Sequence, residues 1–188
     1  MKYRFILAAL VLIIPFGFIP SVYARILFEI GVHTGGDEIS LVDDSNAVIE
    51  STKAGSLYSF ALGGTIAFTD NIEAQLSFGI ESNANHTKEN EASWVRYPLN
   101  GMLFYHKDKF RLGLGATAHF SPKYKVSGAT KNASSSYKDA IGGLFEIDYR
   151  LTEQLHVGLR YTNIQYVRED DDRRFDGSSI GLMLLLLI

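Results

Sequence analysis

The stretch "GSSIGLMLLLLI" (177–188) decides the fold. From Ile180 to Ile188 it holds one glycine and otherwise only apolar side chains. A transmembrane helix needs about 20 apolar residues, whereas a tilted transmembrane β-strand needs only about 9–11. This stretch therefore fits a strand in lipid, provided that neighbouring strands satisfy its backbone hydrogen bonds.

Apolar and polar residues alternate with a period of two along much of the chain, and this pattern predicts the neighbouring strands. In "NIEAQLSFGIE" (71–81), apolar residues such as Ile72 and Leu76 fall on one face, and polar residues such as Glu73 and Gln75 fall on the other. A period of two indicates a strand between two different environments. The same pattern predicts eight strands along the chain, at 26–33, 56–69, 72–82, 94–106, 109–120, 137–151, 154–166 and 178–188.

Short and long connections alternate between these strands. Turns at 69–71, 107–109 and 152–154 alternate with long polar connections at 34–55, 82–93, 121–136 and 168–177. Strict alternation sends the long connections to one rim and the short turns to the other, as in bacterial outer-membrane barrels. We therefore predict an all-β fold, an eight-stranded antiparallel up-and-down transmembrane β-barrel. Its last strand closes the barrel by pairing with the first.

A secretory signal precedes the predicted barrel. Lys2 and Arg4 come before an apolar run, and Val22 and Ala24 occupy the small-residue positions of a cleavage site. We predict a signal peptide at 1–24 and an outer-membrane β-barrel domain at 25–188. An uncleaved anchor helix is the alternative, and it requires a longer apolar core. The absence of cysteine excludes a disulfide framework and thiol chemistry.

A soluble barrel of the lipocalin kind also alternates, but with its apolar face inward. Such a barrel carries lysines on its outer strand surfaces, whereas here they fall in predicted connections, turns or first strand residues. Aromatic residues also flank the predicted turns, as an interfacial girdle does in a membrane barrel: Phe68, Tyr105, Phe110 and Tyr149. The pattern therefore favours an outer-membrane location.

The inward faces of the predicted strands carry a lumen polar network of both charge signs. Its members are Glu29, Glu73, Glu81, Arg96, Arg111, Glu146, Asp148, Arg150 and Arg160. Buried charges are tolerated when they are paired and hydrogen-bonded. The network therefore predicts arginine–carboxylate pairs that plug the lumen. The alternative is a gated pore whose ion pairs exchange partners.

Two further patterns suggest chemistry. His119 and Ser121 fall on one face of the alternation, and with Asp139 they resemble an esterase constellation. Because His119 then points inward, away from lipid, we interpret it as a rim histidine beside a loop serine. The acidic connection at 168–177 lacks the spacing of a calcium loop and is interpreted as a solvated tip. A divalent-mediated contact with lipopolysaccharide phosphates is the alternative for that connection.

The stretch "GLRYTNIQY" (158–166), an acidic connection and "DGSSIGLMLLLLI" (176–188) together resemble the closing hairpin of small Gram-negative outer-membrane barrels of the OmpA/OmpX type. The resemblance implies a monomer in the lipid bilayer with lipopolysaccharide, assembled by the barrel-assembly machinery. Those barrels usually end on an aromatic residue, whereas this sequence ends on Ile188. The hairpin also looks like that of the lipid A 3-O-deacylases, but 160–165 lacks their His-x-Ser pair, so the activity is not carried over.

We therefore expect a non-enzymatic outer-membrane barrel with exposed loops and an ion-paired lumen, in a structural or surface-interaction role. The alternatives are a narrow, porin-like channel for small solutes and an outer-membrane lipid A-modifying esterase. We expect no cofactor and no metal. A net charge of −3 without a basic stripe argues against nucleic acid as a partner.

Overall fold

The computed structural model describes residues 24–42, 48–86, 90–128 and 132–188. The predicted signal peptide lies outside these residues, apart from Ala24. Within these ranges, no helix is long and apolar enough to cross a membrane. The strands, in chain order, are β1 (Ala24–Gly35), β2 (Glu38–Val42), β3 (Val48–Lys53), β4 (Leu57–Ala67), β5 (Ile72–His86), β6 (Asn90–Lys107), β7 (Phe110–Gly128), β8 (Asn132–Ser136), β9 (Ala140–Arg150), β10 (Leu155–Asn163), β11 (Gln165–Val167), β12 (Arg174–Asp176) and β13 (Ser179–Leu187).

Eight of these strands form a closed antiparallel barrel. Their order around the wall is β6-β5-β4-β1-β13-β10-β9-β7, and the β6–β7 pairing closes the circle. The terminal stretch is the closing strand, since β13 pairs with β1 from Leu27 opposite Leu187 to Gly35 opposite Ser179. The prediction of an eight-stranded antiparallel barrel is confirmed.

The short turns close one rim with side-chain hydrogen bonds. The hydroxyl of Thr69 accepts from the backbone N–H of Ile72 at 3.0 Å, and that of Thr152 accepts from Leu155 at 3.0 Å. Between β6 and β7, Asp108 takes a left-handed conformation with φ 56°, which Asp tolerates in tight turns. These turns fix the register of three hairpins of the wall.

The outer surface of the barrel is an apolar belt. Large side chains point outward all round the wall, with Leu76 60% exposed, Leu114 65% and Ile141 81%. The four predicted girdle aromatics lie on this outer surface, and the rings of Phe110 and Tyr149 meet edge to face at 5.2 Å. The inward positions of the same strands are largely polar or charged. The barrel is therefore apolar outside and polar inside, as predicted for a membrane barrel.

The opposite rim is built of strands rather than loops. β5 continues to His86, β6 begins at Asn90, β7 continues to Gly128, and β2 pairs with β3 as a hairpin. The prediction of long loops is therefore wrong for most described residues of these connections. Backbone pairing extends beyond the apolar belt because inward apolar and outward polar residues continue to alternate there. Tyr124 and Val126 point inward, and Lys123 and Lys125 point outward. These two lysines consequently lie on a strand, contrary to the sequence interpretation.

A β-bulge separates the wall part of β7 from its rim part. Tyr97 pairs with Phe120 and Val95 pairs with Lys123, so Arg96 alone faces both Ser121 and Pro122. Ser121 has φ 47°, a left-handed conformation. The extra residue reverses the alternation: odd-numbered residues of β7 point inward below the bulge, and even-numbered residues point inward above it.

Replacing Gly79 with alanine is expected to lower the free energy of unfolding by about 1–3 kcal/mol. A Cβ at Gly79 would lie 2.2 Å from the carbonyl oxygen of Phe60 on β4, so the two strands must separate. Gly143→Ala is the matched control, because a Cβ there meets no atom within 4 Å. Urea unfolding in lipid vesicles measures both variants. Equal stability of the two variants would contradict the close β4–β5 approach.

Candidate functional site

The lumen gathers eight of the nine predicted network residues in a buried array. Each of these eight is less than one-tenth exposed, and Glu146 and Asp148 are fully buried. Closure of the barrel places their side chains on the inner surface, because each occupies an inward position of its strand. An eight-stranded barrel is just wide enough for such side chains to fill.

Arg111 on β7 is the centre of the turn-side part of this array. Its Nε donates to Asp148 Oδ2 at 2.8 Å, its Nη1 to Glu73 Oε1 at 2.6 Å and its Nη2 to Gln75 Oε1 at 3.0 Å. Its guanidinium carbon lies 3.8 Å from the ring centroid of Phe104. Every nitrogen of this buried cation therefore has an acceptor, and its flat face has an aromatic partner.

Arg160 on β10 is the centre of the second part. Its Nη2 donates to Glu29 Oε2 at 3.0 Å, and its Nε donates to Glu146 Oε2. Glu29 Oε1 also accepts from Gln75 Nε2 and from Ser77 Oγ, each at 3.0 Å. Gln75 thus joins the two parts, because its oxygen accepts from Arg111 while its nitrogen donates to Glu29.

The hydrogen bonds form an almost complete ring around the inside of the barrel. They run from Glu146 through Arg160, Glu29, Gln75 and Arg111 to Asp148, which is on the same strand as Glu146. These two carboxylates lie two residues apart on the inward face of β9. Glu146 Oε1 and Asp148 Oδ1 are buried and accept no hydrogen bond. The ring therefore stops between two acceptors.

A third ion pair lies toward the strand-built rim. Arg96 Nε donates to Glu81 Oε2 at 2.6 Å, and Arg96 Nη1 donates to the carbonyl oxygen of Ala54 at 2.5 Å. Tyr166 stands beside this pair, with its hydroxyl 2.7 Å from His119 Nδ1 and its ring centroid 5.2 Å from the Arg96 guanidinium carbon. Arg96 therefore ties the lumen to the residues above it.

An aromatic cap covers this end of the lumen. The Trp94 ring meets Tyr137 at 4.9 Å and Tyr166 at 5.4 Å, and Tyr137 meets Phe175 at 5.8 Å, all edge to face. Trp94 Nε1 donates to the carbonyl oxygen of Ala54 at 3.0 Å. Aromatic pairs of this geometry add to the stabilisation from burial. Burial also raises the pKa of the Tyr137 hydroxyl above its ordinary value.

Sequence reasoning did not identify this cap. The predicted connections contain Tyr124 and Phe175, and two of the predicted strands begin at Trp94 and Tyr137. The usable signal was the alternation in 121–128, where Tyr124 and Val126 alternate with two lysines. Tyr124 and Val126 are each at most 1% exposed, and they belong to the same buried cluster as Trp94.

Arg150 lies at the turn-side rim instead of inside the network. Its side chain is 41% exposed, its Nη1 lies 3.7 Å from Glu153 Oε2, and its Nη2 donates to the carbonyl oxygen of Asp108 at 3.1 Å. The prediction that Arg150 belongs to the buried network is wrong, because β9 ends there. Arg25 contributes instead, with Nη2 2.6 Å from Glu73 Oε2. The predicted first strand begins at residue 26, whereas β1 begins at Ala24 and so includes Arg25.

The remaining inward residues include an apolar cluster and the histidines. Leu27, Met183, Leu185 and Leu187, on β1 and β13, pack together inside the barrel. His33 Nε2 lies 2.9 Å from Ser59 Oγ, whereas both ring nitrogens of His156 are buried without a hydrogen-bond partner. Within the described ranges, no three His, Asp or Glu side chains are arranged to hold a metal ion.

His119 and Ser121 do not share a face, contrary to the alternation argument. His119 is buried, whereas Ser121 is exposed, because the bulge at Ser121 reverses the alternation. Asp139 Oδ1 accepts from the backbone N–H of Ser121 at 2.9 Å and so binds the serine backbone. This arrangement is not that of a nucleophile, a base and an orienting acid.

The acidic connection at 168–177 is partly ordered by ion pairs. Asp172 Oδ1 lies 2.5 Å from Lys138 Nζ, and this ammonium group holds the pKa of Asp172 below its usual range. Arg168 Nη1 lies 3.6 Å from Asp171 Oδ2. Lysine and arginine side chains of the same chain thus pair with these carboxylates, in agreement with the interpretation of this connection as a solvated loop tip.

No protein-family model and no curated protein sequence matches the chain. Solved structures do match. The attachment invasion locus protein Ail of Yersinia pestis is 13% identical with a TM-score of 0.54, over 88% of this chain and 97% of that chain. Ail in complex with the heparin analogue sucrose octasulfate is 11% identical with a TM-score of 0.54, over 90% and 100%. Neisserial surface protein A is 8% identical with a TM-score of 0.56, over 89% and 99%.

At these identities the likeness establishes the fold. The chain has the fold of the small eight-stranded bacterial outer-membrane β-barrels. It also has the outward apolar belt that such a barrel needs in lipid. The predicted resemblance to this class is confirmed.

Arg111→Ala is expected to lower the free energy of unfolding by about 3–5 kcal/mol, because it leaves the buried carboxylates of Glu73 and Asp148 short of a cation. Arg150→Ala removes the same side chain from an exposed position and is expected to cost about 1 kcal/mol or less. Urea unfolding in vesicles measures both. A loss in Arg111→Ala no larger than in Arg150→Ala would contradict the buried network.

Asp148→Asn is expected to leave the free energy of unfolding unchanged or to raise it. The amide keeps an acceptor for Arg111 and adds an N–H donor that can reach Glu146 Oε1, which completes the ring. Glu73→Gln is the control, because both Glu73 oxygens already accept from arginines. It is expected to cost about 1–3 kcal/mol. Urea unfolding in vesicles compares the two variants. Equal losses of unfolding free energy in both would contradict a missing donor between Glu146 and Asp148.

Proposed function

We propose that this outer-membrane-type barrel is not an enzyme, that its lumen is closed, and that its strand-built rim contacts the cell exterior. The observation that carries the proposal is the position of Arg96. This single buried cation joins the Glu81 ion pair inside the wall to Ala54 and the aromatic cap above it. The lumen is then obstructed twice, by the hydrogen-bonded ring and by the cap.

The rim supports a role in surface interaction. Strands that extend beyond the belt present fixed rows of side chains, which suit recognition better than flexible loops do. The structural neighbour Ail has been solved in complex with sucrose octasulfate, so a barrel of this fold can accept an anionic saccharide. We further propose that the chain is a monomer, that it is surrounded by lipid and lipopolysaccharide, and that the barrel-assembly machinery inserts it.

The esterase alternative receives no support from the site geometry, since His119 and Ser121 point to opposite sides of the wall. A channel for small solutes remains the competing function, because polar side chains continue along the lumen from Arg25 to His119. In that reading the ion pairs are a gate. Conductance separates the two readings.

Planar-bilayer recordings of the refolded wild type are expected to show no openings. The double variant Arg96→Ala/Arg111→Ala is expected to show brief openings, because it detaches Ala54 and the cap from Glu81 and also breaks the hydrogen-bonded ring at Arg111. Arg150→Ala is the matched control and is expected to remain silent, because Arg150 lies outside the network. Discrete openings in the wild type would overturn the closed lumen and establish the channel.

A further inference from the structure

Above the apolar belt, β6, β7 and β8 form a sheet whose outer surface carries two lysines, Lys123 and Lys125, beside several serines. We call this surface the lysine–serine face, defined by the outward residues Ser93, Lys123, Lys125, Ser134 and Ser136. Lys125 lies between Ser93 on β6 and Ser134 on β8, and Lys123 lies between Val95 and Ser136. Lys123, Lys125 and Ser134 are exposed, and Ser93 and Ser136 are half-buried.

The two lysines are without an acidic partner in the part of the chain that the structure describes. Lys138, by contrast, is already bound to Asp172 at 2.5 Å. The strand register holds Lys123 and Lys125 on the same side of β7, and the bulge at Ser121 directs them outward. Their inward neighbours Tyr124 and Val126 are buried in the apolar cluster that also contains the rings of the aromatic cap. The positive charge is therefore held on a rigid support.

The face begins where the lipid-facing surface ends. Tyr97 and Phe120 are paired outward residues at the upper limit of the apolar belt, and aromatic residues mark the membrane interface in such barrels. Lys123 pairs with Val95, which lies two residues along β6 from Tyr97, a rise of about 7 Å along the strand and about 5 Å along the membrane normal at the usual tilt. That height corresponds to the polar headgroup layer, which is roughly 5–8 Å thick on each side.

From this placement we infer that the lysine–serine face binds the phosphorylated saccharide headgroup of the glycolipid that surrounds the barrel, lipopolysaccharide. The lysine ammonium groups bind phosphate oxygens as point charges. The serine hydroxyls both donate and accept, which suits saccharide hydroxyls. The face looks sideways into the headgroup layer, which favours a neighbouring lipid over a soluble glycan from outside. The inference rests on the proposed outer-membrane function and names the partner of its rim.

The test is equilibrium binding of fluorescent lipopolysaccharide to the folded, detergent-solubilised chain, in EDTA so that divalent cations do not mask the phosphates. The double variant Lys123→Ser/Lys125→Ser is expected to bind about tenfold more weakly than the wild type. Lys107→Ser/Lys109→Ser removes the same charge from the turn-side rim and is expected to change affinity less than twofold. Heat-dependent gel mobility verifies that each variant is folded.

Dephosphorylated lipopolysaccharide is the second probe. The wild type is expected to bind it as weakly as the Lys123/Lys125 double variant binds the intact lipid. Equal losses in the two double variants, or equal binding of both lipid forms, would overturn the inference. So would binding of sucrose octasulfate through Lys123 and Lys125 without binding of lipopolysaccharide, which would identify the face as a site for a soluble glycan. A wild type that conducts ions would refute the closed lumen and leave this result unaffected.

Discussion

Eight strands enclose a space that side chains fill, and water therefore cannot hydrate a charge placed inside it. Each inward guanidinium must therefore find its acceptors within the protein, mostly among the side chains of other strands. Arg111 finds three, from β5 and β9, and Arg160 finds two, from β1 and β9. The polar composition of the lumen follows from this requirement, since a change at one inward position leaves a partner unsatisfied at another.

Some of these side-chain bonds connect strands that the backbone does not pair. Glu29 on β1 reaches Arg160 on β10 past β13, and Gln75 on β5 reaches Glu29 past β4. Backbone pairing closes the barrel at its wall, and the network closes it again across its interior. The second closure supplies cross-links independent of the turns. The aromatic cap repeats the arrangement above the belt with ring contacts in place of ions.

Alternation is sufficient to predict the eight wall strands, their inward and outward faces, and most residues of the ion-paired lumen. It is insufficient wherever the chain departs from a strict period of two or continues a strand beyond lipid. Arg150 has the right alternation but lies past the end of the buried space, so only depth along the barrel excludes it. Ser121 breaks the period with one extra residue, which composition does not reveal. The partner chosen by each arginine depends on register, which a single sequence does not specify.

The bulge at Ser121 makes β7 a strand of two independent phases. Below the bulge, the odd-numbered residues of β7 point into the lumen, and above it the even-numbered residues point toward the aromatic cap. Residues added or removed in pairs above the bulge leave the wall register untouched, so the height of the rim can vary while the membrane-embedded part stays constant. The same barrel wall is thereby compatible with rims of different lengths and chemistries. This division separates the evolutionary history of the exposed surface from that of the wall that supports it.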